Sequence, residues 1–298
     1  MKRLLAGLAG FTLLGALAGL FVTAPQPLSP TERAQRPGDP ARGARLFHAG
    51  GCASCHAAKG AKGDARLALG GGAPLVTPFG SFQPPNISPG PNGIGNWSLA
   101  EFDNAMRRGI SPDGRHYYPA FPYTSYARMT PGDIADLFAY LTRLPAVAGK
   151  PAAGDIPFPF NIRRGIGLWK RLYLDPAPIV ALPANAPADV KAGQYLVEGP
   201  GHCGECHSPR DQFGGPDHAR WLAGAPDPEG KGRIPNITPG KLAWSAAEIA
   251  DYLKTGFTPD YDSVGGTMVE VQANMAELPN EDRAAIAAYL KAVPTVKP

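Results

Sequence analysis

The chain has 298 residues, of which 44% are hydrophobic and 18% are charged, so its composition is that of a folded globular protein rather than a disordered one. Its formal net charge is +4, and Lys2 and Arg3 at the N-terminus account for half of that value. The remaining chain is nearly neutral and lacks the basic stripe that nucleic-acid binding requires, which excludes nucleic acid as a partner. The 37 glycines and 34 prolines follow no short period, so they indicate turn-rich loops around a folded core.

An uncharged apolar run from Leu4 to Ala24 follows the two basic residues. As a helix it would be about 30 Å long, which is enough to span a bilayer with the basic end in the cytoplasm. Val22-Thr23-Ala24 loosely resembles a signal-peptidase site, so a cleaved signal is the alternative to a retained anchor. We predict that residues 1–24 are this anchor or signal, that residues 25–40 form a linker, and that the protein lies on the periplasmic side of the cytoplasmic membrane.

The motif Cys-x-x-Cys-His occurs twice, at Cys52–His56 and at Cys203–His207, and it uses all four cysteines. Two thiols on one short turn can add to the two vinyl groups of haem, and the following histidine then faces the iron. A four-cysteine zinc site and a thioredoxin-like redox pair are the alternatives, but neither explains the histidine after each pair. We therefore predict two covalently bound haem c groups, attached through Cys52, Cys55, Cys203 and Cys206, with His56 and His207 as iron ligands.

The chain carries an internal repeat, because four blocks of sequence return in the same order. Their offsets stay between 147 and 151 residues, which predicts two copies of one domain. The blocks are the haem motif, Pro85-Asn86-Ile87-Ser88-Pro89 with Pro235-Asn236-Ile237-Thr238-Pro239, Trp97-Ser98 with Trp244-Ser245, and Ala139-Tyr140-Leu141 with Ala288-Tyr289-Leu290.

Each copy is predicted to be a small helical unit with a helix before the haem motif, a middle helix and a last helix. The first helix carries a glycine at which another helix can approach closely, and the last helix carries an aromatic residue suited to crossing there. The middle helix begins with a capping box and ends at a glycine. In chain order these features are first helices at 42–49 and 190–197 with Gly43 and Gly193, capping boxes from Ser98 to Glu101 and from Ser245 to Glu248 with Gly109 and Gly256, and last helices from Thr130 and from about Glu281 with Tyr140 and Tyr289.

Residues 147–187, between the two copies, are rich in proline, and Ile156–Phe160 cannot continue a helix. This stretch also carries Trp169, Leu172 and Tyr173, which are too apolar for a free tether. We predict an ordered linker at 147–187 that packs on two domains, at residues 41–146 and 188–298.

A methionine thioether from later in the domain is the usual second axial ligand in a haem electron carrier. In the second copy we predict Met268, on a glycine-rich loop, whereas Met275 is more typical of core packing. In the first copy Met106 falls inside the middle helix, which leaves Met129 as the predicted ligand. His116 and an open sixth position are the alternatives for that haem.

With these blocks and the stretch Gly201–His207, the chain from about residue 40 to its end resembles the multihaem cytochrome c subunits of periplasmic, membrane-bound alcohol, polyol, sugar-acid and aldehyde dehydrogenases. The resemblance implies an all-α fold of two tandem class I cytochrome c-like domains, each around one covalently bound haem c. It also supports Met268 as a ligand. The implied function is electron transfer from a periplasmic dehydrogenase to a quinone, another cytochrome or a terminal oxidase. The apolar run from Leu4 to Ala24, in turn, predicts that the N-terminal segment contacts the membrane.

The chain departs from that family in two respects. Family members often have three haem motifs, and this chain has two. They also tend to carry methionine where this chain has Phe121, in the segment Tyr118–Tyr123. The competing hypothesis is therefore an enzyme that binds a small substrate, such as peroxide or a sulfur anion, at an open or weakly ligated first haem. No acid–base pair or nucleophile stands out, so we predict no catalytic residues and an electron carrier rather than an enzyme.

Overall fold

The computed structural model describes residues 14–227 and 232–296, which form a mainly helical protein with two small two-stranded sheets. We call residues 40–146 the first half and the described residues from 188 to 296 the second half. The helices of the first half are α1 (Pro40–Ala49), α2 (Cys52–His56), α3 (Leu99–Arg108), α4 (Tyr123–Tyr126) and α5 (Pro131–Leu141). The linker contains α6 (Gly165–Tyr173), and the second half contains α7 (Ala188–Glu198), α8 (Gly204–His207), α9 (Ala246–Thr255), α10 (Met268–Met275) and α11 (Asn280–Ala292). The antiparallel strands are β1 (Leu75–Thr77) with β2 (Gly80–Phe82) and β3 (Ala225–Pro226) with β4 (Arg233–Ile234).

The first and last helices of each half cross at a glycine. A Cβ atom on Gly43 would lie 2.0 Å from the carbonyl oxygen of Asp136 on α5, and one on Gly193 would lie 1.9 Å from that of Ala285 on α11. Any side chain larger than hydrogen would therefore push the helices apart. The same Cβ positions lie 2.7 Å and 2.8 Å from Cβ of Tyr140 and Tyr289, so the predicted crossing of glycine and aromatic residue is confirmed.

The middle helices α3 and α9 begin and end as the sequence predicts. Ser98 and Ser245 each form a complete capping box with the glutamate three residues later. Gly109 and Gly256 end these helices in the left-handed conformation, with φ of 58° and 78°. Equivalent local signals therefore produce equivalent helices in the two halves.

Two hydrophobic cores lie beside these crossings. In the first core, Phe47 of α1 packs with Ile134 and Leu137 of α5. The second core is built in the same way from α7 and α11, and it also takes in Ala49 from the end of α1. The two halves thus share a packed boundary close to the first haem motif.

Asp136 stabilises the crossing of α1 and α5 through ion pairs. Its side chain is fully buried and accepts hydrogen bonds from Arg42 Nε at 2.7 Å, Arg36 Nη1 at 3.0 Å and the backbone N–H of Asp39 at 2.7 Å. Burial by itself would raise the pKa of Asp136, but these hydrogen bonds lower it to about 2. The carboxylate therefore stays ionised throughout the neutral range. It holds α1 and the residues just before it, from Arg36 to Asp39, against α5.

The linker contacts both halves. From α6, Lys170 Nζ donates to the carbonyl oxygen of Gly109 at 2.7 Å in the first half. Trp169 Nε1 donates to that of Phe213 at 3.0 Å, and the hydroxyl of Tyr173 donates to Asp211 Oδ2 at 2.6 Å, both in the second half. The proline-rich stretch is therefore held against the protein by defined hydrogen bonds.

The predicted N-terminal segment from Leu4 to Ala24 begins outside the described residues, and its part at 14–22 is helical. The end of this helix contacts α6 and the residue before it. Arg171 Nε of α6 donates to the carbonyl oxygen of Val22 at 3.3 Å, and Arg164 Nε, just before α6, donates to Thr23 Oγ1 at 3.1 Å. Within residues 14–227 and 232–296, no helix is both long and apolar enough to cross a membrane.

Candidate haem-binding sites

Each motif histidine is held by a carbonyl group of the repeated Pro-Asn-Ile block. The Nδ1 atom of His56 lies 2.8 Å from the carbonyl oxygen of Pro85, and that of His207 lies 2.9 Å from the carbonyl oxygen of Pro235. A carbonyl only accepts, so Nδ1 carries the proton and donates, which leaves the Nε2 lone pair free to bind a metal. Both imidazoles are thus fixed in the tautomer that an iron ligand needs.

The ionisation of these histidines also suits ligation. Burial lowers the pKa of His56 and of His207, and the proline carbonyl opposes that shift only in part. Both rings are therefore neutral near pH 7, as metal binding through nitrogen requires.

The asparagine of each block ties it to the chain that follows the last helix. Asn86 Nδ2 donates to the carbonyl oxygen of Val147 at 2.7 Å, and its Oδ1 accepts from the backbone N–H of Ser88 at 2.8 Å. In the second half Asn236 Nδ2 donates to the carbonyl oxygen of Val296 at 3.1 Å. These contacts give both asparagines a packing role. They brace the proline carbonyl against which each histidine rests.

The cysteines present the thiols that covalent attachment requires. All four are free, with Cys52 and Cys203 partly buried and Cys55 and Cys206 exposed. Burial raises the pKa of Cys52 and of Cys203 to about 12, so both remain protonated thiols at neutral pH. Within the described part of the chain, no three His, Cys, Asp or Glu side chains come together as a metal-ion cluster. Two free thiols beside a neutral histidine, in each of two turns, are the donor set of haem c.

The two predicted methionine ligands lie in different surroundings. Met268 is the first residue of α10 and is only partly buried at the edge of the second core, whereas Met275 is packed inside that core. Met129 is 3% exposed in the first core, where it lines a small cavity together with Cys52 and Met106.

Phe121 occupies the place in the first half that Met268 occupies in the second. Each lies four residues after a backbone hydrogen bond that closes the loop behind the middle helix, so the two positions are structurally equivalent. The closing bonds are both 2.7 Å long and run from Tyr117 to Gly109 and from Val264 to Gly256. The first half therefore has phenylalanine at the place where the second half has its predicted methionine ligand.

Met129 has Leu278 as its counterpart. Each lies two residues before the first residue of a last helix, α5 or α11, and each is 3% exposed in its core. In the second half, this place is filled by a side chain that only packs. His116, the alternative ligand, has its Nε2 atom 2.9 Å from the carbonyl oxygen of Thr23.

Sequence comparisons agree with this geometry. Residues 40–145 match the family of proteins described as Cytochrome c. A diheme cytochrome c-type protein of Cereibacter sphaeroides is 54% identical over 99% of this chain and 99% of its own length. The cytochrome subunit of fructose dehydrogenase from Gluconobacter japonicus is 38% identical over 93% of this chain, and the cytochrome c subunit of alcohol dehydrogenase (quinone) from Gluconacetobacter polyoxogenes is 37% identical over 86%. The chain spans 57% and 56% of the lengths of those two subunits.

The helical fold and the two motif turns are those of a c-type cytochrome. At 54% identity over its full length, the chain belongs to the dihaem c-type cytochromes. It accordingly carries two covalently bound haem c groups, and it is homologous to the electron-transfer cytochrome subunits of dehydrogenases.

Proposed function

We propose that this protein carries electrons from a periplasmic dehydrogenase to a quinone, another cytochrome or a terminal oxidase. When bound, haem iron supplies one-electron chemistry by alternating between its ferric and ferrous states. The observation that carries the proposal is the matched pair of histidines, each partly buried, neutral and held by a proline carbonyl. Relatives that are cytochrome subunits of dehydrogenases support a dehydrogenase as the donor.

The proposed attachment sites follow the motifs, with Cys52 and Cys55 for the first haem and Cys203 and Cys206 for the second. His56 and His207 are the proposed proximal ligands. For the second haem we propose Met268 as the sixth ligand, because its thioether is only partly buried and so is not committed to the core.

For the first haem we propose Met129 as the sixth ligand, on the ground that it lines the same cavity as Cys52. The competing arrangement is one in which Met129 only packs, as Leu278 does, and the sixth position stays open. Phe121 at the place of Met268 favours this arrangement, and with it an enzyme acting on a small substrate at the first haem.

The two cores and matched helices support two tandem class I cytochrome c domains at residues 41–146 and 188–298, joined by the linker at 147–187. The repeated crossing of first and last helix is the element that each domain would need in order to fold around one haem.

We also propose that the N-terminal segment attaches the protein to the periplasmic face of the membrane. The exposed large apolar side chains Leu14, Leu17, Leu20 and Phe21 support this, and α6 beside them adds exposed Leu168 and Leu172. Replacing residues 1–24 by a cleavable export signal is expected to move the cytochrome from the membrane fraction to the soluble periplasmic fraction. Retention in the membrane fraction, with haem content unchanged, would contradict this attachment.

A redox titration of the purified protein tests the function. We expect two haems per chain by the pyridine haemochrome assay, reversible one-electron reduction of each, and no binding of carbon monoxide by the reduced protein. Carbon monoxide binding by one of the two haems would instead support the enzyme with an open site. Fewer than two haems would contradict the proposed attachment sites.

A further inference from the structure

The two halves meet through equivalent residues. Arg45 on α1 pairs with Asp282 on α11, with Nη2 2.7 Å from Oδ1, and the hydroxyl of Tyr195 on α7 donates to Asp133 on α5. Arg45 and Tyr195 each lie two residues after the crossing glycine of their helix. Asp133 and Asp282 are each the third residue of a last helix. The boundary is therefore organised about a pseudo-twofold axis, as a dimer of two identical subunits would be.

The haem-attachment turns follow the same symmetry. Asn274 Nδ2 donates to Ser54 Oγ at 2.8 Å, and Ser125 Oγ donates to Glu205 Oε1 at 2.8 Å. Ser54 and Glu205 each immediately precede the second cysteine of their motif, and Asn274 and Ser125 are each the penultimate residue of a short helix, α10 or α4. Each attachment turn is thus hydrogen-bonded to a helix of the other half.

Those two helices belong to the segments that carry the proposed sixth ligands. Helix α10, which is bound by the first attachment turn, begins at Met268 of the second half. Helix α4, which is bound by the second attachment turn, lies between Phe121 and Met129 of the first half. The turn that attaches one haem therefore holds the ligand segment of the other.

The two links between the halves, the hydrogen bond from Asn274 to Ser54 and the one from Ser125 to Glu205, differ in strength. Ser54 is neutral, whereas the carboxylate of Glu205 forms an ion pair with Arg210 and also accepts a hydrogen bond from Thr124 at 3.1 Å. The guanidinium of Arg210 and the hydroxyl groups of Ser125 and Thr124 all donate to its oxygens, which is the environment of an ionised carboxylate. Hydrogen bonds to a charged acceptor are about twice as strong as neutral ones. The stronger link thus runs from the second attachment turn to the first half.

The side chain of Glu205 is only 15% exposed, so water screens its charge weakly. It stands between Cys203 and Cys206, and a fixed negative charge there stabilises the oxidised, more positive state of a nearby redox centre.

We propose that Glu205 is a positioning residue that ties the ligand segment of the first haem to the attachment turn of the second haem, while its charge lowers the reduction potential of the second haem. This inference rests on the proposed function. Ser54 has the reciprocal role, because its weaker hydrogen bond with Asn274 ties the attachment turn of the first haem to the ligand segment of the second haem.

Three variants separate charge from positioning. Glu205→Gln keeps an acceptor for Ser125 but removes the charge, so we expect an upward shift of the second potential and an unchanged spectrum for the first haem. Glu205→Ala removes both, so the first haem should also show an altered sixth-ligand signature in its absorption and electron paramagnetic resonance spectra. Ser54→Ala should instead weaken the methionine band of the second haem. A protein carrying Met268→Leu assigns the signals of the two haems.

Glu281→Gln is the control, because it removes an exposed carboxylate from the same half. The charge effect is refuted when Glu205→Gln shifts the second potential no more than this control does. The positioning role is refuted when Glu205→Ala leaves the first haem's spectrum as in the unaltered protein; should that variant fail to take up haem, Ser54→Ala tests the same architecture. Failure of the proposed function is seen separately, as an unaltered protein without two reversibly reducible haems.

Discussion

Substitution of Met129 distinguishes most clearly between the two hypotheses for the first haem, which are Met129 as the sixth ligand and an open sixth position. We predict that Met129→Leu removes the thioether ligand while preserving the core. Leucine already fills the equivalent place as Leu278, and both positions are 3% exposed. A swap that conserves volume costs less than about 1.5 kcal/mol, whereas truncation of a buried methionine to alanine costs about 2–5 kcal/mol. Leucine is therefore the substitution that isolates the ligand from the packing.

The assay is the near-infrared methionine-to-iron charge-transfer band of the oxidised protein. With Met129 and Met268 each supplying one ligand, Met129→Leu should remove about half of the band and lower the potential of the first haem, because a thioether ligand raises it. Urea unfolding of the same variant checks that its free energy of unfolding has changed by less than about 1.5 kcal/mol. An unchanged band would refute the reasoning and show that Met129 only packs.

Three further predictions follow from the described contacts. Met268→Leu should remove the other half of the charge-transfer band, whereas the control variant Met275→Leu should keep the whole band. Asp136→Asn should lose about 2 kcal/mol of unfolding free energy at pH 7, because the carboxylate pKa is about 2 in the folded chain and near 3.8 when unfolded. That contribution is complete above about pH 4 and is lost as the pH falls through about 2, so thermal unfolding of the two proteins should converge in acid. Gly193→Ala should lower the free energy of unfolding by about 2 kcal/mol, since the clash with α11 outweighs the gain in helix propensity. The control Gly165→Ala places no atom within 4 Å of the new Cβ and should lower it far less. Equal losses of unfolding free energy in urea would contradict the close crossing of α7 and α11.

The sequence by itself was enough for the features that depend on neighbours along the chain. Covalent haem attachment uses thiols three residues apart, and a capping box joins residues three apart, so Cys52 with Cys55 and Ser98 with Glu101 could be interpreted directly. The glycine of each first helix was also predictable, because a close helix crossing needs a residue without a side chain and the repeat shows that residue twice.

The tertiary structure alone decided which distant groups meet. The proline carbonyl that fixes the tautomer of His56 lies 29 residues away in sequence, and the hydroxyl that binds Glu205 lies 80 residues away. A repeated Pro-Asn-Ile block indicated that this segment mattered, but the atom that contacts each histidine is the backbone oxygen of the proline, which a side-chain pattern does not record. Hydrogen bonds between distant segments depend on how the helices pack and on which halves meet, so the link between the two haem-attachment turns had no signal in the sequence.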